Sequence, residues 1–124
     1  MLWELPGSIK VGSWFLEAWL EETPPIAFSL SSLAEVFDAE TLPRSVTVRS
    51  MEPGDSVAIV GGTKPLKVVL AEAQIPPHRR RNWPVVATDR EVIWIPGVRR
   101  SATGWVGPAT TRYLWVRATV EGHS

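Results

Sequence analysis

At 124 residues, with 44% hydrophobic and 21% charged positions, the chain can bury one core and is too apolar for disorder throughout. It has no cysteine, which excludes disulfides, thiolate metal sites and thiol nucleophiles and is compatible with a reducing cytoplasm. Net charge is zero, yet residues 1–60 carry nine acids against three bases and residues 61–124 four acids against ten bases. That −6/+6 split either offers phosphates a basic half or pairs the two halves with each other.

Glu4 and Pro6 interrupt any signal-peptide pattern at the start, and no run approaches the roughly 20 apolar residues of a spanning helix. A soluble chain is expected. Residues 9–21 put Ile9, Val11, Phe15 and Trp19 on one face and Trp14, Leu16, Ala18 and Leu20 on the other. Such two-sided hydrophobicity fits a helix or a strand covered on both faces; the flanking Leu5-Pro6-Gly7 and Thr23-Pro24-Pro25 favour one long strand. Short strands are predicted at 26–30 and 33–38, a break at Thr41-Leu42-Pro43, and a half-buried strand from Val46 to Arg49.

Pro53-Gly54-Asp55 reads as a turn, and Val57 to Val60 as a strand ended by Gly61-Gly62. A helix is predicted from Thr63 as N-cap, with Pro65 in its first turn and an apolar stripe of Leu66, Val69, Leu70 and Ala73. Lys64, Lys67 and Glu72 fall off that stripe. Ile75-Pro76-Pro77 stops the helix, and Pro77 opens a second short turn through Asn82. Pro84 imposes extended geometry, and Val85–Ala87 with Val92–Ile95 read as a hairpin around Thr88-Asp89-Arg90-Glu91. A Gly-bearing loop at 104–107 precedes a last strand, Arg112 to Val120. The expectation is a small β-rich α+β domain.

Catalytic patterns are missing. His78 and His123 lie far apart, no Ser has a Gly-x-Ser-x-Gly setting, and Gly61-Gly62-Thr63-Lys64 matches only the tail of a phosphate-cradling loop. Asp38 and Glu40 suit turn chemistry better than a metal pair, so neither a catalytic nor a metal site is assigned. Binding has more material. Arg79, Arg80 and Arg81 are consecutive, Lys64 and Lys67 flank a helix start, and Arg99 and Arg100 leave a strand end at Gly97. Arginine forks suit phosphate oxygens, and a patch of about five to seven cations suffices for salt-dependent nucleic-acid binding. The bland alternative is a set of solvated cations that keep the domain soluble. Of the seven Trp, Trp83 and Trp94 are expected to pack rather than stack on bases. Arg49 and Asp55 either contact a ligand or pair across Gly54 to hold the loop.

The order of motifs from Phe37 to Arg100 resembles the C-terminal domain of tRNA(Ile)-lysidine synthetases. That family has a strand ending in Arg, a Pro-Gly-Asp turn, a Lys-rich helix start, a Val-Pro stop, an Arg-bearing turn ending in Pro, and a strand closing on Pro-Gly-Leu-Arg. Here these are Val48-Arg49, Pro53-Gly54-Asp55, Lys64 with Leu66-Lys67, Ile75-Pro76, Arg80 with Pro84, and Trp94-Ile95-Pro96-Gly97-Val98-Arg99. Departures are Ser56-Val57-Ala58 where basic residues often follow Gly-Asp, and Pro65, Val68 and Asn82 where Lys, Asp and Arg are frequent.

The resemblance implies lead-in β-strands at 1–36 and the family domain at 37–124, in one compact unit with one or two short helices. The fold implied is similar to a domain of the phenylalanyl-tRNA synthetase β chain. It implies tRNA binding for an ATP-dependent, cytoplasmic ligase that joins lysine to the anticodon cytidine of a minor isoleucine tRNA. Lys64, Lys67, Arg79, Arg80, Arg81, Arg99 and Arg100 would then meet the nucleic acid. The family's Ser-Gly-Gly-x-Asp-Ser pyrophosphate loop is not in this sequence, so this chain would hold no cofactor, with ATP and magnesium expected in the parent enzyme. Expected partners are tRNA and a catalytic pyrophosphate-loop domain in cis or trans, with no membrane; a homodimer is left open. The alternative is a protein–protein docking or structural module that keeps the fold without RNA binding.

Overall fold

In chain order, the computed structural model, which describes residues 1–24 and 33–120, contains β1 (Leu2–Glu4), β2 (Gly7–Val11), β3 (Trp14–Glu21), β4 (Ala34–Asp38) and a 3-10 turn at Ala39–Thr41. There follow β5 (Ser45–Arg49), β6 (Ser56–Ile59), β7 (Gly62–Pro65), α1 (Leu66–Glu72) and α2 (Pro77–Arg80). The last elements are β8 (Val85–Ala87), β9 (Val92–Ile95), β10 (Arg99–Arg100) and β11 (Tyr113–Val120). The expected strand at 26–30 lies outside the described residues, as does His123.

The smaller sheet has the order β2-β3-β11-β4 and is antiparallel throughout. Strand alternation decides its two faces. Leu114, Val116 and Ala118 of β11 point inward beside Leu16 and Ala18 of β3, whereas Arg117 and Thr119 stay exposed. The larger sheet runs β1-β5-β8-β9-β6-β7, with β10 paired to β9. Its inner face carries Trp3, Val46, Val48, Val86 and Trp94 against the smaller sheet. On the other face Val57, Val85, Ala87, Val92 and Ile95 are covered by Leu66, Val69 and Leu70 of α1. Strands β8 and β9 are therefore apolar at every position, as strands covered on both faces must be. Val86 faces Trp94 and Ala87 faces Val92, so Ile93 is an extra residue in the ladder. This bulge turns Ile93 and Trp94 into the same inter-sheet core.

Three expectations need correction. The run 9–21 is a hairpin, because Gly12 at φ +60 makes the turn between β2 and β3. The helix starts at Leu66, not Thr63: Thr63 and Lys64 pair with Ala58 and Val57 as an edge strand. Pro65, with ψ 138, continues that strand and closes it. The first free N–H of α1, at Leu66, then donates to the Asp55 carbonyl at 2.9 Å. Ala73 caps the helix in solvent instead of lying on its buried stripe. Gln74 takes φ 61, and Ile75 and Gln74 donate back to the Leu70 and Ala71 carbonyls, both at 3.0 Å. That is a Schellman stop formed without glycine. The hairpin at 85–95, the Pro-Gly-Asp turn and the final strand stand as expected.

Candidate nucleic-acid interface

Pro76 at ψ 144 and Pro77 at the first helical position start α2 without a spent N–H. The three arginines that follow diverge. Arg79 is exposed and lies over the Trp83 ring at 5.9 Å. Arg80 turns back and donates from Nε to the Ile75 carbonyl at 2.9 Å, tying α2 to the end of α1. Arg81 is exposed. Trp83 donates from Nε1 to the Pro96 carbonyl at 2.8 Å and meets Trp14 edge-on at 5.0 Å. Trp94 is 1% exposed. Trp94 packs, as expected, whereas Trp83 meets Trp14, stays half-buried and keeps part of its surface on a cleft.

Between α2, the β2–β3 turn and Gly97 lies a cleft of about 500 Å³, with Ser13, Trp14, His78, Arg79, Asn82 and Trp83 on its walls. Gly97 has φ +77, and a Cβ there would come within 3.3 Å of Leu33. The β9–β10 connection thus approaches Trp83 closely, and Arg99, which is exposed, follows two residues after Gly97 on β10.

The Pro-Gly-Asp loop is held by charge. Arg49 Nη1 and Nη2 donate to the two Asp55 carboxylate oxygens at 2.9 and 3.0 Å, and Arg49 Nε lies 3.1 Å from Glu52. Asp55 also accepts from the Glu52 N–H at 2.6 Å. The Arg49 hydrogen bonds hold the Asp55 carboxyl below its ordinary value, and the same pairing raises Arg49. Of the two readings for this pair, loop-holding is the one its geometry supports. Gly54, at φ +87, supplies the turn. Lys67 is exposed and borders a groove formed by this loop and Pro65, apart from the α2 cleft.

Two of the expected contact residues are occupied inside the fold. Lys64 pairs with Glu72 across α1. Arg100 is nearly buried: it donates to the Val36, Ser101 and Thr103 carbonyls and lies 3.9 Å from Glu35. Its guanidinium sits between the Phe37 ring at 4.1 Å and the Trp105 ring at 5.1 Å. Burial pulls Arg100 below its ordinary value and pushes the Glu35 carboxyl above its own, each opposed by the other's charge. The acidic and basic halves therefore pair in places, through Arg100–Glu35 and through Arg117–Glu17 at 2.9 Å. Other cations of the basic half stay clear of the acids. Lys67, Arg79, Arg81 and Arg99 have no carboxylate partner among the described residues.

Sequence reasoning also missed residues. Arg44 and Arg112 flank a groove beside Glu40 because Leu5 and Ala39 N–H groups bond their carbonyls. Ser13 and Trp14 reach the α2 cleft only through the Gly12 turn, and a glycine inside an apolar run is the signal for it. Asp38 and Thr110 share a hydrogen bond of 2.9 Å, and Asp38 also accepts from the Glu40 N–H. That is turn chemistry, and no group of three metal-ligating side chains occurs among the described residues. No helix among them is long and apolar enough to cross a membrane.

The family model described as "TilS substrate C-terminal domain" matches residues 46–115. The tRNA(Ile)-lysidine synthase of Bacillus cereus strain ATCC 14579 is 32% identical over 103 residues, covering 79% of this chain and 21% of that protein. The tRNA(Ile)-lysidine synthase of Geobacillus kaustophilus is 34% identical over 82 residues, covering 64% of this chain and 18% of that protein. A solved structure described as "Crystal structure of TILS C-terminal domain" superposes with a TM-score of 0.82 at 26% identity, covering 100% of this chain and 98% of that one. The chain spans 12% to 21% of the length of such curated relatives.

Proposed function

The chain belongs to the TilS substrate C-terminal domain family, and from that premise we propose that it is a non-catalytic tRNA-binding domain of a tRNA(Ile)-lysidine synthase. The observation that carries this reading is that Lys67, Arg79, Arg81 and Arg99, four of the expected contact residues, are exposed and have no carboxylate partner among the described residues. Such guanidinium and ammonium groups on a surface are free to replace counterions on a phosphate backbone. Arg80 contributes the part of its fork not bonded to Ile75. Lys64 and Arg100 support the scaffold instead. Lysine ligation, with its ATP and magnesium, belongs to a separate domain carrying the pyrophosphate loop, joined in cis or supplied in trans.

Titration of tRNA at two salt concentrations tests the reading. With four phosphate contacts, affinity should fall on the order of a hundredfold between about 50 and 200 mM salt. Absence of binding at low salt would sink it. A docking role without RNA is favoured by a different observation. On the outer face of the smaller sheet Trp19 and Trp115 stack at 6.2 Å, and Phe15, further along β3 past the Glu17–Arg117 pair, is 40% exposed. Copurification with a partner protein and no retained RNA would support that second reading.

A further inference from the structure

We propose that the cleft between α2 and the β2–β3 turn takes one unpaired nucleobase of the bound RNA. This rests on the tRNA-binding reading and adds to it a base-dependent contact. RNA is read chiefly through bases freed from helical stacking, held against flat side chains and hydrogen-bonded at their edges. The cleft supplies both elements. Trp14 and Trp83 form its apolar wall, with the Arg79 guanidinium over Trp83 at its rim.

The polar groups are unspent. Ser13, His78 and Asn82 line the cleft, and none of their side chains has a hydrogen-bond partner among the described residues. His78 and Asn82 are four positions apart, with Arg81 keeping helical angles between them, so they present neighbouring groups to one ligand. An Asn amide offers a donor and an acceptor side by side, which matches the alternation along a base edge. Among the described residues no carboxylate lines the cleft, and Arg79 is its permanent cation. That balance suits a neutral ring attached to a phosphate and disfavours a cationic ligand. Its volume of about 500 Å³ lies within the range of small-molecule pockets. Arg81, next to Asn82 in the chain, is exposed and can hold a phosphate adjoining the base.

The experiment compares an RNA hairpin bearing a short single-stranded overhang with the same RNA made abasic in the overhang. The wild-type chain should bind the intact RNA roughly tenfold more tightly. The exposed His78→Ala/Asn82→Ala pair should bring the intact RNA down to the abasic level and leave abasic binding unchanged. Circular dichroism and a thermal melt show that the variant remains folded. Shifts of the His78 ring and Trp83 indole NMR signals on adding nucleoside monophosphates give an independent readout. Equal affinity of the wild-type chain for intact and abasic RNA overturns this inference alone. So does a base preference that survives the double substitution. No binding of either RNA at low salt overturns this inference and the tRNA-binding reading together.

Discussion

Arg100, on the larger sheet, donates a hydrogen bond to the carbonyl of Val36 on the smaller sheet, 64 residues away in sequence. One side chain thereby joins β4, the end strand of the smaller sheet among the described residues, to β10 while stacking on Phe37 and Trp105. Its charge, which sequence alone assigns to a ligand surface, serves the contact between sheets. Guanidinium groups suit this use because they combine a flat apolar face with a rigid fork of donors.

Removing that fork leaves three backbone carbonyls short of a donor. Arg100→Ala is expected to destabilise the domain by about 3 kcal/mol, the cost of unsatisfied buried acceptors plus lost packing. Arg100→Lys should recover only part of it. Urea denaturation with an unchanged slope would confirm the effect, and tRNA affinity at temperatures where the variant stays folded should be unaltered.

Acid stability should report on Asp55. Its folded carboxyl lies below the ordinary value because of Arg49, so its contribution is complete above the unfolded Asp range. It is lost as pH falls through the lowered folded value. Asp55→Asn should cost about 1–3 kcal/mol at neutral pH and flatten the fall in stability on acidification. Melts from pH 7 down to about pH 3 across the ordinary carboxylate range decide it, and an unchanged acid limb in the variant would count against the loop-holding role.

Glu35 should behave with the opposite sign. Burial raises its carboxyl, so its proton is held more tightly in the folded state. Its favourable contribution is present below the unfolded value and is lost as pH rises through the raised one. Glu35→Gln should therefore match the wild type most closely in acid and gain on it toward neutral pH. The same melting series measures the difference.

The division between occupied and free cations can be read from salt slopes. Arg79→Ala/Arg81→Ala should lower the slope of log affinity against log salt by about two, one for each phosphate no longer neutralised. Lys64→Ala should leave the slope unchanged, since its ammonium is paired with Glu72. A reduced slope for Lys64→Ala would place that side chain on the RNA.

The parts of the fold legible in the sequence are those governed by local chemistry. Pro53-Gly54-Asp55, the stripe of Leu66, Val69 and Leu70, and the Val85–Ile95 hairpin each follow from turn residues or from the period of apolar positions. The missed features depend on competition between neighbours. Thr63 is a good helix cap, yet as part of β7 its pairing with Ala58 of β6 claims its backbone first. Gln74 adopts positive φ because the buried face of α1 and the packing of Ile75 hold the stop in place. For the candidate site, the triplet Arg79–Arg81 is visible as a basic run. Which of its guanidiniums turns inward, and that Ser13 and Trp14 share its cleft, depend on chain crossings that no spacing encodes.

The pairing of β11 with both β3 and β4 places the last described strand at the middle of the smaller sheet, with Arg117 opposite Glu17 and Ala34 together. On a ribosome the early strands emerge long before the strand that must lie between them. Until then Leu16, Ala18 and Phe37 have no β11 to cover them, and the inter-sheet core stays open. Closure is therefore a late, long-range event with a large loop-closure cost. Nascent chains halted before Tyr113 are correspondingly the species in which sticky, unpaired strand edges are exposed to chaperones and to each other.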